Sequence, residues 1–119
     1  MECSAELRQH IGTEIFLLSC KVTKFNKYGW RNTRTLALTQ DTILILKNKC
    51  KELRRKVNLQ FLRGLTMSLS VQSKEMVIHV EDESDIRLAS QVNRKQIIDT
   101  IKMFYATKTR ENLPIYGVR

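Results

Sequence analysis

The apolar period of this chain changes once, near residue 90, and that change fixes what it can fold into. Before it, apolar residues come in short alternating runs. Ile15 to Phe25 alternates, with Phe16, Leu18, Cys20 and Val22 on one face and polar groups on the other. Asn26-Lys27-Tyr28-Gly29 is turn chemistry, since Asn and Gly accept the backbone angles of a tight reversal. Arg31 to Thr39 alternates again through Leu36 and Leu38, and Gln40-Asp41 turns the chain. Thr42 to Leu46 is an apolar, partly β-branched run, and Arg54 to Leu59, Leu65 to Leu69, Glu75 to Val80 and Asp85 to Ala89 follow. Alternation gives each segment a core side and a solvent side, so the pattern predicts seven short strands in an antiparallel meander. After the change, Ile97, Ile98, Ile101, Phe104 and Tyr105 recur at helical spacing as one stripe. Asn93 with Gln96 three residues on resembles a capping box, with Ser90 the alternative start, and the helix is expected to reach about Thr107.

A strongly bent sheet leaves an apolar opening, and an amphipathic helix is suited to closing it. The expected fold is therefore mainly β: a seven-stranded bent antiparallel sheet, or a partly open barrel, capped by one C-terminal α-helix. At 119 residues the chain has the size of one domain, whole or cut from a longer protein. Residues 1–13 read as a lead-in, weakly helical from Glu2 to Ile11; 14–107 read as the core and 108–119 as a tail.

Charge divides unevenly over this frame. Residues 21–34 carry Lys21, Lys24, Lys27, Arg31 and Arg34 with no acid, and residues 47–56 carry six basic side chains against Glu52 alone. The other 95 residues hold 10 basic and 11 acidic groups, so the net charge of +9 belongs to two places. Both lie at open ends of expected hairpins, and concentrated positive potential calls for an anionic partner. Lys21 and Arg63 read as solvated surface. Lys47, Lys49, Lys51 and Arg54 form a secondary basic patch, with Arg54 and Lys56 either joining the first cluster or pointing away from it. Tyr28 and Trp30, at the first hairpin tip, either enter a membrane interface or pack on their own strands. Glu81-Asp82-Glu83-Ser84-Asp85 opposes this reading, because it gathers four acids in the loop between the sixth and seventh expected strands, and acids repel an anionic surface.

Other chemistry finds little support. Cys3, Cys20 and Cys50 are odd in number, far apart and in no CxxC pair, which points away from a disulfide or zinc scaffold and toward a reducing intracellular setting. His10 and His79 lack metal-ligand spacing, the acidic loop fits no EF-hand, and the serines lack a nucleophile elbow. No glycine-rich phosphate loop is present. The longest apolar run, Ile15 to Leu18, is far too short to cross a bilayer, so membrane contact is expected to be peripheral. We expect no enzyme, no cofactor and no metal. Low aromatic content and basic residues on strands and loops, rather than a recognition helix, speak against nucleic acid.

The element order, with its basic first hairpin, resembles the pleckstrin-homology fold. Trp30-Arg31-Asn32-Thr33-Arg34-Thr35-Leu36-Ala37-Leu38-Thr39 looks like the second strand of such domains. Met76-Val77-Ile78-His79-Val80 and Asp85-Ile86-Arg87-Leu88-Ala89-Ser90, ahead of Ile97-Ile98-Asp99-Thr100-Ile101, are similar to the first tail-homology region of class I myosins. They also resemble pleckstrin-homology-like modules joined to protist protein kinases. The resemblance, over residues 14–107, implies a module for phosphoinositide lipids on the cytoplasmic face of membranes. The alternative it leaves is a protein-interaction or autoregulatory domain in a cytoskeletal motor or kinase. By family pattern, Lys24 late in the first strand and Arg34 in the second reach headgroup phosphates, with Lys27 and Arg31 beside them. The usual K/R-x-R is broken here, because Asn32 stands two before Arg34. Backbone N–H groups of the 26–29 turn are expected to add donors.

Overall fold

The computed structural model describes residues 4–70, 73–90 and 92–118. Glu2 and Cys3 of the expected lead-in lie outside the described residues. Helix α1 (Ser4–Ile11) is followed by strands β1 (Phe16–Phe25), β2 (Arg31–Thr39), β3 (Thr42–Lys47) and β4 (Glu52–Asn58). A 3-10 turn at Leu59–Phe61 leads to β5 (Leu62–Ser68), β6 (Glu75–Val80), β7 (Ile86–Ala89), α2 (Arg94–Thr109) and β8 (Ile115–Val118). The strands form one bent, unclosed sheet in the order β4-β3-β2-β1-β7-β6-β5-β8.

β1 joins the two halves. It pairs with β2 along its length, and Thr23, Lys24 and Phe25 also pair with Ala89, Leu88 and Arg87 of β7. Among the described residues the strand count is eight where seven were expected. The extra strand, β8, runs parallel to β5, setting Leu65 beside Ile115 and Ser68 beside Val118. Gly64 permits this approach: a Cβ there would stand 3.1 Å from both the Pro114 carbonyl oxygen and the Tyr116 ring.

The concave face buries Val22, Leu36, Leu38, Ile43, Ile45, Val57, Leu65, Ile78, Ile86 and Leu88. α2 lays Ile97, Ile98, Ile101 and Tyr105 into this core, with Phe104 partly buried beside them, and so seals one open end as the stripe predicts. The capping box does not form. Asn93 makes no side-chain cap, and the Ser90 hydroxyl accepts the Asn93 N–H at 3.0 Å instead. The helix runs two residues beyond Thr107 and ends at Arg110, in the left-handed region at φ 62°.

The convex face has its own small core. Leu7 and Ile11 of α1 pack with Ala37, Leu44, Leu46 and Cys50. Phe16 joins this group rather than the Leu18, Cys20 and Val22 row expected of it, because a register shift between Phe16 and Leu18 breaks the alternation. β3 is thus covered on both sides, which is why Thr42–Leu46 is apolar throughout.

Candidate functional site

At the end of the sheet opposite α2, the concave row of β1 runs out of apolar residues and continues with Lys24, opposite Asn32 of β2 and Leu88 of β7. Arg34 lies opposite Val22, in step with Leu36 and Leu38. The β4 strand adds two arginines. Ile45 pairs with Arg55 and Leu46 with Leu53, so Arg54 is a bulged extra residue. Strict alternation would send Arg54 and Arg55 to opposite faces; the bulge lets both bear on one place. The Lys24 amine registers them: its pKa is pushed down first by burial, then by the charges of Arg55, Arg34 and Arg54. Through their charges, four cations therefore bear on the open mouth of the sheet between β1, β2 and β4. Lys24 and Arg34 enter no ion pair among the described residues, and Arg34 spends one Nη1 donor on the Thr33 carbonyl, at 2.8 Å.

Arg55 was not singled out from the sequence, although its place two residues before the buried Val57 carries the signal. Its side chain is only 17% exposed and reaches across to the β6–β7 loop. There it donates to the Ser84 hydroxyl at 3.4 Å and to the Ser84 carbonyl, and lies 3.8 Å from the Glu83 carboxylate. The acidic loop is thus held by Arg55 against the end of the sheet that carries the basic residues. Arg54 sits 4.0 Å from Glu52 with an exposed side chain. Lys56 points away, to the convex side, where it binds Glu14 at 2.6 Å and the His10 carbonyl at 3.3 Å.

The remaining expected residues separate. Arg31 does not join Lys24 and Arg34: its guanidinium stands 5.7 Å from the centre of the Phe25 ring, with Arg87 at 4.3 Å from the same ring. By strand parity it belongs to the convex face, one residue out of step with Asn32 and Arg34. Lys27 lies over the Tyr28 ring at 5.1 Å, at the hairpin tip. Tyr28 and Trp30 are each 73% exposed, so they do not pack on their own strands. The turn itself has few donors to spare. Asn26 Oδ1 accepts the N–H groups of Tyr28 and Trp30, the Asn26 carbonyl accepts that of Gly29, and Asn26 N–H donates to Trp30. The expected anion donors at Asn26, Tyr28 and Gly29 are therefore consumed within the turn, leaving Lys27. Lys47 and Lys49 border a convex-face groove with Lys21, and Lys51 stays exposed in the β3–β4 loop.

A bent, unclosed sheet sealed by a helix at one end and ringed by basic loops at the other defines a pleckstrin-homology-like domain. Solved structures share this fold. The hSac2 domain of the human phosphoinositide phosphatase Sac2 matches with a TM-score of 0.65 at 14% identity, over 98% of this chain and 87% of that one. The Slm1 pleckstrin-homology domain, solved with inositol-4-phosphate, matches with a TM-score of 0.65 at 12% identity, over 76% and 95%. The linker-DH/PH structure of p115-RhoGEF matches with a TM-score of 0.68 at 14% identity over 82% of this chain, which spans 30% of that structure. No curated protein matches the sequence. The model of the unconventional myosin tail family, described as actin- and lipid-binding, matches residues 2–116, and the chain belongs to that family. Among the described residues, no helix is long and apolar enough to cross a membrane.

Proposed function

We propose that the chain is a non-catalytic module that recognises phosphoinositide headgroups in the cationic cleft and holds its parent protein peripherally on the cytoplasmic face of membranes. Lys24 and Arg34 on the inner row of the β1–β2 pair, with the charges of Arg54 and Arg55 felt at the Lys24 amine, carry this reading. A phosphorylated headgroup presents several oxygens within a few ångströms. The planar fork of Arg34 offers two parallel donors to one phosphate, and Lys24 adds a point charge across the hairpin. Burial and like charge already press on the Lys24 amine, and an anion in the cleft relieves that pressure. Each basic side chain near an anionic leaflet adds on the order of 1 kcal/mol, which suits reversible attachment. Exposed Tyr28 and Trp30 beside the cleft suit the interfacial layer. The family's description as actin- and lipid-binding supports the ligand class.

The test is co-sedimentation with neutral, phosphatidylserine and bisphosphorylated-inositide vesicles at two salt concentrations. Wild type is expected to pellet with the inositide vesicles and to be released by Lys24→Glu with Arg34→Glu. Equal pelleting of wild type and double variant defeats the cleft. Pelleting that follows vesicle charge alone reduces the module to an electrostatic sensor. Recovery of a stoichiometric protein partner, insensitive to both substitutions, would replace lipid with a protein as the ligand.

A further inference from the structure

We propose a second anion site on the convex face: a groove, separate from the cleft, that takes a compact phosphomonoester such as an inositol phosphate. β2 outruns β3. Its pairing with β3 stops at Thr35 opposite Leu46, while its pairing with β1 continues to Arg31. Beside the uncovered stretch lies a groove of about 410 Å³, lined by Lys21, Thr33, Thr35, Lys47, Asn48 and Lys49, with Leu46 and Glu6 also against it. That volume is in the range of small-ligand pockets. Arg34 borders it too and caps the exposed Thr33 carbonyl, so it stands at the seam between groove and cleft.

Three properties set this groove apart from an ordinary basic surface. First, none of Lys21, Lys47 and Lys49 enters an ion pair among the described residues. Among the described residues Glu6 is the one acid lining it; Glu52 nearby is engaged by the Asn48 amide and Arg54. Second, its rim is held in a costly shape. Asn48, Lys49 and Cys50 are consecutive non-glycine residues in the left-handed region, at φ 55°, 54° and 67°. Such residues persist only where their surroundings over-determine them, and they gather at ligand clamps. Third, those surroundings are identifiable: Cys50 is fully buried against α1, and His10 Nε2 donates to the Cys50 carbonyl at 3.0 Å. The loop is pinned from below, so Lys47 and Lys49 are presented without being tied. Three ammonium groups with the Thr33 and Thr35 hydroxyls match the charge and acceptor count of a phosphate dianion better than a single carboxylate.

The experiment is calorimetric titration with inositol trisphosphate. The groove variant is Lys21→Gln with Lys49→Asn, Asn being tolerated at positive φ so that the loop keeps its shape. The cleft variant is Lys24→Glu alone, because Arg34 also borders the groove, and Lys95→Gln with Lys102→Gln on α2 is the charge-matched control. Wild type is expected to show two binding events. The groove variant should weaken one of them by about tenfold or more, as the loss of charge-assisted hydrogen bonds implies. The other event should depend on the cleft, and Glu6→Gln should tighten the groove event. An isotherm changed no more by the groove substitutions than by the α2 control overturns the site. An event that survives cleft substitution and disappears with groove substitution leaves the groove standing even where the cleft reading fails. Phosphatidylcholine vesicles doped with a bisphosphorylated inositide then assign the source. Weaker pelleting of the groove variant identifies a headgroup on the bilayer; unchanged pelleting with lost soluble binding identifies a free inositol phosphate.

Discussion

Replacing Lys24 by Met should make the protein more stable and its binding weaker. Met keeps the unbranched stem along the sheet and removes only the ammonium. The Lys24 pKa lies below its ordinary 10.5, pushed down by burial and then by Arg55, Arg34 and Arg54. A base depressed in this way binds fewer protons folded than unfolded. Its charged form therefore works against folding at neutral pH, and stability is gained as pH rises through the folded value toward 10.5. Like-charge neighbours at partly exposed sites cost about 0.2–0.5 kcal/mol each, so three of them with partial desolvation come to roughly 1 kcal/mol. For a domain of this length that corresponds to about 3–6 °C in melting temperature. The assay is a thermal melt of both proteins across ionic strength, with inositide-vesicle binding measured in parallel. The gain should be largest at low salt and fade as screening shortens the range of repulsion. Binding should fall about fivefold, the equivalent of roughly 1 kcal/mol for one lost charge. A lower melting temperature at every salt, with binding intact, would mean that the four cations do not share a cleft.

Trp30, the chain's single tryptophan and largely exposed, should shift its emission to the blue on inositide vesicles; an unchanged spectrum while the protein pellets would place the hairpin tip in water. Glu83→Gln removes an acid held at the cleft by Arg55, and should tighten vesicle binding about two- to fivefold, as a surface ion pair of this kind implies; weaker binding would show that the acidic loop supports the ligand instead. For Glu14, burial raises the carboxyl pKa, but hydrogen bonds from Lys56, Thr42 and Thr39 and the Lys56 charge outweigh it, and the net shift is downward from 4.5. Its contribution is present above 4.5 and is lost as pH falls through the lowered folded value. Glu14→Gln should therefore cost about 1–3 kcal/mol at neutral pH in urea titrations and flatten the acid limb of the stability curve. An acid limb identical to wild type would remove Glu14 from that role.

The bent sheet and its closing helix were legible because β1, β2, β6, β7 and α2 each have one dominant apolar face, and β3 is apolar on both. Leu36 and Leu38 mark β2, and Ile97, Ile98 and Ile101 mark α2, with no knowledge of their partners. What was not legible depended on irregularities that leave no periodic trace. The shift at Phe16–Leu18 moved Phe16 to the convex side, and the bulge at Arg54 broke the alternation that would have set Arg54 and Arg55 on opposite faces. β8 was missed because four residues after Pro114 show no alternation of their own; its pairing rests on the bare backbone of Gly64. Parity sets Lys24 in step with Cys20 and Val22 and Arg34 in step with Leu36, which is the register that β1 and β2 adopt. The same parity, applied to Arg31, separates it from them. Neither α1 nor the loop it pins could be joined to Lys21 from the sequence, because that juxtaposition comes from Cys50 packing beneath a helix some forty residues earlier in the chain.

The docking of α1 has a practical corollary for anyone trimming the chain. A fragment begun at residue 14 would lose Leu7 and Ile11 and bare Ala37, Leu44, Leu46 and Cys50 as a continuous greasy plate on the back of β2 and β3. Such a plate invites self-association, and a new thiol at its rim would become open to oxidation. Clumping of that shortened species would reflect a missing lid, not a sticky ligand-seeking surface.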